Sequence, residues 1–430
     1  MRKTGFLLLI LIVAVSLALS ACGNASDGGK QSGAGDQASG ESGKQEKVKL
    51  SILAWNNETE MKPVMDGFMK KYPNISFDFQ FAPPVKDYIA KLQTMLLSDS
   101  APDIFIIAAE NRNEVIDSGH ALDLTDYPFM DVMLDSNKPM LSKNGRTYAF
   151  TNNGWVGGWF YNKDLFAKAG ITKLPTTWDE FVEVCLKLKE AGITPLYDNM
   201  QDLTQIHSSL YGNMTLSKDP NFDEKIFSGE KTFADGWLEV FKLWKKDMID
   251  KKIITPDMIG LTGDQIESEF TLGNVAMFFG GPWSIAKLSA TPNLNFSMIP
   301  VPGPVPGETY YVGAPGVGFA VNSKTKHKEE ALKFIEYLST QEGLELFYQG
   351  TGSIMTAKGF EAKVHPSMQQ AYEEGLMKGK IYLPMVSWPR HQEALRNQFV
   401  IVTQDMAVGK ITPEEAVAAI DKKLKEMENK

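Results

Sequence analysis

Two cysteines in 430 residues, Cys22 and Cys185, allow at most one bridge, so a disulfide-stapled scaffold is excluded and a large apolar core has to hold the fold. The five histidines, at 120, 207, 327, 365 and 391, lack metal-ligand spacing, and no HExxH, GxSxG or Walker pattern occurs. No catalytic residue, metal or cofactor is therefore expected. The Gly313 to Gly318 stretch is rich in glycine but lacks the GxGxxG order of a dinucleotide site. With a net charge of −9 and no clustered basic face, a nucleic-acid partner is not expected. Beyond the first 21 residues no apolar run is long enough to span a bilayer, which excludes a polytopic membrane protein. The acidic residues, 53 in all, are numerous enough to hide a glycosidase pair, because sequence does not measure carboxylate separation.

What is present begins at the N-terminus. Arg2 and Lys3 precede an almost uninterrupted apolar run from Phe6 to Leu19, and Leu19, Ser20, Ala21 and Cys22 follow. This arrangement resembles the bacterial lipobox, which implies removal of residues 1–21 and a lipid on Cys22 as the new N-terminus. An ordinary secretory peptide cut near Ala21, or an uncleaved anchor helix, is the alternative. Two acyl chains anchor a protein stably where one binds only reversibly. Residues 22–46 carry no bulky apolar side chain and read as a tether with a reach of roughly 25–30 Å. Once Cys22 is acylated only Cys185 remains, and no intrachain disulfide is expected.

Residues 47–430 exceed what one core usually serves, so two domains are expected. Val48, Leu50, Ile52 and Ala54 alternate as a strand, Met61, Val64, Met65 and Phe68 recur at helical spacing, and Ile75, Phe77, Phe79 and Phe81 alternate again. A helix over Tyr88, Leu92 and Leu96 leads to the continuous run from Asp103 to Ala109, the mark of a strand buried on both faces. The first domain is thus α/β with a parallel sheet. Further on, Thr177 with Glu180 reads as a capping box opening an amphipathic helix in which Cys185 is core. Trp178 and Trp237, inside helical patterns, also read as core. Ser339 with Glu342 and Thr412 with Glu415 read as further capping boxes, the last with Pro413 at the first helical position.

The run Trp159, Phe160, Tyr161, Asn162, Lys163, Asp164, Leu165, Phe166, then Ala169, Gly170, then Pro175 to Phe181, resembles the signature of family 1 extracellular solute-binding proteins. That family serves ABC importers, mainly for carbohydrates. Gly280 to Trp283, Ile299 to Gly303 with Val312 to Val321, and Ser323 to Phe347 extend the likeness over nearly all of 47–430. The resemblance implies an α/β, two-lobed periplasmic-binding-protein-like fold, each lobe a β-sheet flanked by helices, with the ligand in a cleft between them. Lobe 1 is expected to comprise 47–153 plus 316–356, and lobe 2 to comprise 154–315 plus 357–430. Crossings are expected near Asn152 to Gly158 and Gly313 to Gly318, with Gly154, Gly157, Gly313 and Gly316 as hinge glycines; close backbone approach is the other reason for glycine there.

A neutral sugar offers an apolar ring face and a rim of hydroxyls, so its receptor needs flat aromatics with amides, carboxylates or arginine around them. Trp55 and Asn56 follow the first strand, and Glu110 follows the buried one, at strand ends where α/β sheets hold ligands. Trp155 lies in the first crossing and Trp283 in the Gly-Pro-Trp turn, where the resemblance implies a sugar-stacking position. Asp202 and Gln205 lie where relatives present polar residues, and Trp388 and Arg390 lie in a Ser-Trp-Pro-Arg loop. Glu110 and Asp202 could equally be caps or surface carboxylates. Lys163 and Asp164 read as structural, near a helix start.

The function expected is a monomeric, lipid-anchored receptor on the extracytoplasmic face of a Gram-positive cell membrane. It binds a carbohydrate ligand, closes, and docks to the membrane permease subunits of an ABC importer. A secreted glycosidase-like enzyme, and a binding protein for a non-sugar ligand or sensor kinase, are the alternatives.

Overall fold

The computed structural model describes residues 46–83, 86–201 and 206–429. In chain order the strands are β1 (Val48–Ala54), β2 (Ile75–Phe81), β3 (Ile104–Ile107), β4 (Ser142–Lys143), β5 (Arg146–Thr147), β6 (Asn153–Asn162) and β7 (Thr194–Tyr197). They continue with β8 (Val275–Gly280), β9 (Phe296–Ile299), β10 (Tyr311–Pro315), β11 (Gly318–Val321), β12 (Ile354–Met355) and β13 (Ile381–Tyr382). Among the described residues no helix is long and apolar enough to cross a membrane.

The first lobe is built on a sheet of order β11-β3-β1-β2. β1 pairs in parallel with β2 and β3, as the βαβ pattern requires, and β11 returns antiparallel to β3 with Gly318 opposite Ile107. All four residues of β3 are fully buried, because helices cover both faces. Asn57 opens the helix Glu58–Lys71 with a capping box to Glu60, and Met61, Val64, Met65 and Phe68 form its buried stripe.

β6 is the spine of the second lobe. Its first half pairs with β10 from Gly154 to Gly157 and its second half with β8 from Gly158 to Tyr161, giving the order β13-β10-β6-β8-β7. Its side chains serve two cores: Val156 and Phe160 pack with Phe270, Phe278 and Tyr311, whereas Trp159 and Tyr161 join the larger cluster on the other face. Trp178, Cys185 and Trp237 are fully buried in that larger cluster, as their helical spacing requires.

The chain passes between the sheets at short segments. Phe150 still bridges Phe319 of the first sheet, and β6 begins three residues later. On the return, β10 ends at Pro315 and β11 begins at Gly318. The crossings are therefore shorter than expected, and three hinge assignments, Gly154, Gly157 and Gly313, are corrected. Gly157 and Gly313 lie inside the paired ladder of the second sheet, opposite Val312 and Val156. A side chain at Gly157 would meet the Phe279 ring at 2.7 Å, and one at Gly313 the Trp155 carbonyl at 2.6 Å. Close approach is what these two glycines provide. Gly154, within the ladder where β10 and β12 both reach β6, is also closely packed, and Gly316 lies in the second crossing with the Asn153 side chain against it. β12 pairs with Asn153 and Gly154, so the chain joins the second sheet before residue 356.

Two capping assignments change, one in its partner and one in its position. Thr177 accepts from the Glu180 N–H, but the Glu180 carboxylate accepts from Thr176 and Lys173 instead of closing the box on Thr177. Thr340, not Ser339, caps the helix Gln341–Thr351, accepting from the Gly343 N–H at 3.1 Å. The Thr412 box with Glu415 forms as expected.

Candidate functional site

Parallel strands end on the same edge, and in the first lobe β1, β2 and β3 end where β11 enters from the crossing. Their loops, 55–57, 82–83 and 108–111, therefore gather at that edge. In the second lobe β7 and β8 are parallel, and Gly158 of the antiparallel β6 lies opposite Gly280. The loops after β7 and β8 and the first residues of β6 thus share one end, again beside the crossing. Topology alone directs both sets of loops toward the junction of the two lobes.

On the second lobe the apolar element is a pair of indoles. Trp155 precedes the β6 residues that pair with β8, and Trp283 follows β8 by three positions, so the register brings them together. Their rings lie 5.5 Å apart at 66°, an edge-to-face corner. Trp283 is 61% exposed, which is unusual for the largest apolar side chain. Its ring folds back over Gly281, where an added Cβ would lie 2.5 Å from the indole. Pro282 starts the helix Pro282–Ala290 and fixes the turn that presents it.

On the first lobe Trp55 is half-buried and leans edge-on against Tyr88, with centroids 5.9 Å apart. Tyr88 is held by a hydrogen bond to the Ile106 carbonyl at 3.0 Å, and burial pushes its phenol pKa far up. Asn56 donates to Glu60 at 3.1 Å, which orients its amide within the cap of the following helix. Glu110 is half-buried, and Asn111 is fully buried, its side-chain oxygen accepting from the Ala108 N–H at 2.8 Å. Phe81, which ends β2 at the same edge, is 46% exposed. Phe81 was not among the expected site residues. An alternating strand whose last aromatic has nothing further to pair with was the available signal for Phe81.

Asp202 and Gln205 lie outside the described residues, as do Cys22 and the segments before it and up to residue 45. The described start of the loop after β7 is tightly held: Asp198 accepts from the Met200 N–H at 2.8 Å, and Asn199 donates to the Leu261 carbonyl at 3.0 Å.

Two expected ligand residues are corrected. Trp388 is fully buried between Phe233, 5.7 Å away, and Phe399, 5.3 Å away, so it is part of the second lobe's core. Arg390 donates to Glu428 at 2.7 Å and to the Phe227 carbonyl at 2.8 Å while its guanidinium lies over the Phe227 ring. It ties the C-terminal helix Pro413–Glu428 to the body of the lobe. Lys163 and Asp164 lie at a helix start capped by Asn162, where Asp164 accepts from Asn295.

Two ionisable side chains lie deep in the second lobe. Burial pushes His207 down to about 3, so it is neutral, packed against Phe241 and Trp244. Burial pushes the Asp223 carboxyl up to about 6, opposed by hydrogen bonds from Tyr211 and Tyr382. Among the described residues no cluster of histidine, cysteine and acidic side chains could hold a metal ion.

Comparison with known proteins places the chain. The family model for bacterial extracellular solute-binding protein matches residues 54–345. The Multiple sugar-binding protein of Streptococcus mutans is 24% identical over 337 residues, covering 75% of this chain and 78% of that one. The Melibiose/raffinose/stachyose-binding protein MelE of Bacillus subtilis is 20% identical over 366 residues, covering 82% and 85% respectively. The solved structure of a family 1 extracellular solute-binding protein from Bifidobacterium longum subsp. infantis superposes with a TM-score of 0.77 at 31% identity, covering 89% of this chain and all of that one. Two sheets joined by short crossings, with strand-end loops turned toward the junction, are the two-lobed architecture of those relatives, and the chain belongs to the bacterial extracellular solute-binding protein family.

Proposed function

We propose that this protein is an extracytoplasmic receptor that binds an oligosaccharide between its two lobes and delivers it to the permease of an ABC importer. The carrying observation is the indole corner of Trp155 and Trp283, in which a half-buried Trp155 backs a Trp283 left largely in water, at the end of the strands where this fold gathers its loops. A folded protein gains nothing from leaving such surface wet, whereas a pyranose face fits a flat indole and its hydroxyls suit the amide and carboxylate groups of the opposite loops. Asn56 and Glu110 are the polar partners on the first lobe, with Trp55 as a second platform and Asp202 and Gln205 as polar partners on the second. The sugar binders among its relatives support this reading.

An affinity near micromolar corresponds to about 8 kcal/mol, which a few stacked aromatics and several hydrogen bonds supply. Because contacts on both lobes are needed, the ligand shifts the equilibrium toward the closed arrangement only by its extra contacts there. The lobes are divided at 151–153, at 315–318 and again at β12, with Gly316 in the second passage absorbing part of the motion. Cys22 carries the lipid that holds the receptor, a monomer, at the outer face of a Gram-positive cell membrane, and residues 23–46 form the tether. Calorimetry and thermal shift against a panel including raffinose, melibiose, maltotetraose and xylotetraose test the reading. At least one sugar should release heat and raise the melting temperature; silence across the panel in both assays refutes it.

A further inference from the structure

Outside the crossing strands, the two lobes are joined by a buried guanidinium. Arg112, the first residue of the helix Arg112–Asp117 in the first lobe, is only 8% exposed. It donates to the Val386 carbonyl at 2.8 Å and to the Trp388 carbonyl at 2.7 Å, both in the second lobe. Its neighbour Asn113 donates to the Pro389 carbonyl. The accepting segment is fixed in its own lobe: Trp388 is sealed among Phe227, Phe233 and Phe399, its carbonyl also accepts from Gln392 at 2.9 Å, and Arg390 is tied to Phe227 and Glu428.

The donating segment is equally fixed, and it is the ligand-facing one. Asn111 closes the turn after β3 on the Ala108 N–H, so residues 108–112 form a short rigid piece. Glu110 projects from its middle, and its charge favours the protonated guanidinium against the burial that disfavours it. One end of this piece faces the lobe junction and the other is bonded to the opposite lobe.

We propose that Arg112 is a positioning residue that clamps the β3 loop of the first lobe to the 386–389 segment of the second, limiting the arc over which the lobes move and holding Glu110 in register with the indole corner. Its acceptors are neutral carbonyls, so the clamp depends on a planar donor fork reaching two oxygens at once. Lysine at 112 keeps the charge but offers no such fork. The effect on ligand affinity rests on the sugar-receptor reading; the effect on lobe motion does not.

The test is single-molecule energy transfer on the ligand-free full chain carrying Cys22→Ser, with dyes on Leu97→Cys in the first lobe and Leu272→Cys in the second. Both positions are highly exposed, at 89% and 71%, whereas Cys185 is fully buried and does not compete for label. Arg112→Met should at least double the width of the interlobe distance distribution, Asn113→Ala should broaden it less, and Arg112→Lys should fall between wild type and Arg112→Met. A sugar bound by the wild type should bind Arg112→Met about tenfold more weakly, because the competent arrangement becomes a smaller fraction of the ensemble. Wild-type distributions in the folded variants, with only a lower melting temperature, would reduce Arg112 to a stabilising contact and overturn the proposal. If Arg112→Met does not fold, Arg112→Lys and Asn113→Ala decide by the same criterion. If no sugar binds the wild type, the receptor reading fails while the ligand-free distributions still judge the clamp.

Discussion

Replacing Trp283 with alanine separates binding from folding more sharply than any other single change. A tryptophan side chain presents roughly 150–250 Å², and Trp283 keeps 61% of its surface in water. The part already buried, about 60–100 Å², contributes at most about 1.5–2.5 kcal/mol to folding at ~25 cal/mol per Å². In a protein of this size that lowers the melting temperature by no more than about 5 °C. The exposed part, about 90–150 Å², is what a sugar ring would cover, and losing it costs about 2–4 kcal/mol of binding. Trp283→Ala should therefore weaken binding of the best sugar roughly 30-fold to 1,000-fold, measured by calorimetry, while circular dichroism and the melting curve stay close to wild type. Trp283→Phe should recover part of the affinity. A folded Trp283→Ala protein whose affinity lies within about threefold of wild type would refute the assignment of the indole corner as the sugar platform.

Other outcomes follow from the same geometry. Trp388→Ala should cost about 3–5 kcal/mol of stability, read from denaturant unfolding, because it opens a cavity between Phe233 and Phe399; any folded fraction should still bind ligand. Burial raises the Asp223 pKa from its ordinary 3.8 to about 6, so its protonated form is favoured by folding and its contribution to stability is full below pH 3.8 and lost as pH rises through 6. Asp223→Asn should flatten that part of the melting-temperature profile, about 3 kcal/mol in all; an unchanged profile between pH 4 and 6 would count against it. Cys22→Ala should release the protein from membranes into the medium in a fractionation assay and impair uptake of its sugar, while the released protein still binds it.

How much of this was legible beforehand depended on how local each signal is. Strands β1 to β3 and the helices around Cys185 and Trp237 were readable because periodicity reports which face is buried, and burial followed it. The pairing of Trp155 with Trp283 was not readable, although each was a candidate, because it depends on the antiparallel register that sets Gly158 opposite Gly280. Trp388 misled for the same reason. Its loop looks exposed in sequence, yet Phe233 and Phe399, which enclose it, are contributed by separate helices. The glycines at 157 and 313 looked like hinges until their ladder partners were known. The Arg112 contact spans more than 270 positions of the chain and leaves no local trace.

The central claim is that a neutral sugar lies between the lobes against Trp155 and Trp283. A crystal structure with the tightest-binding sugar of the panel tests it most directly. The account predicts a pyranose face in van der Waals contact with the Trp283 indole, within about 4 Å, and hydroxyls bonded to Asn56 or Glu110 of the opposite lobe. A sugar bound elsewhere, with the Trp283 ring still in water, would contradict it.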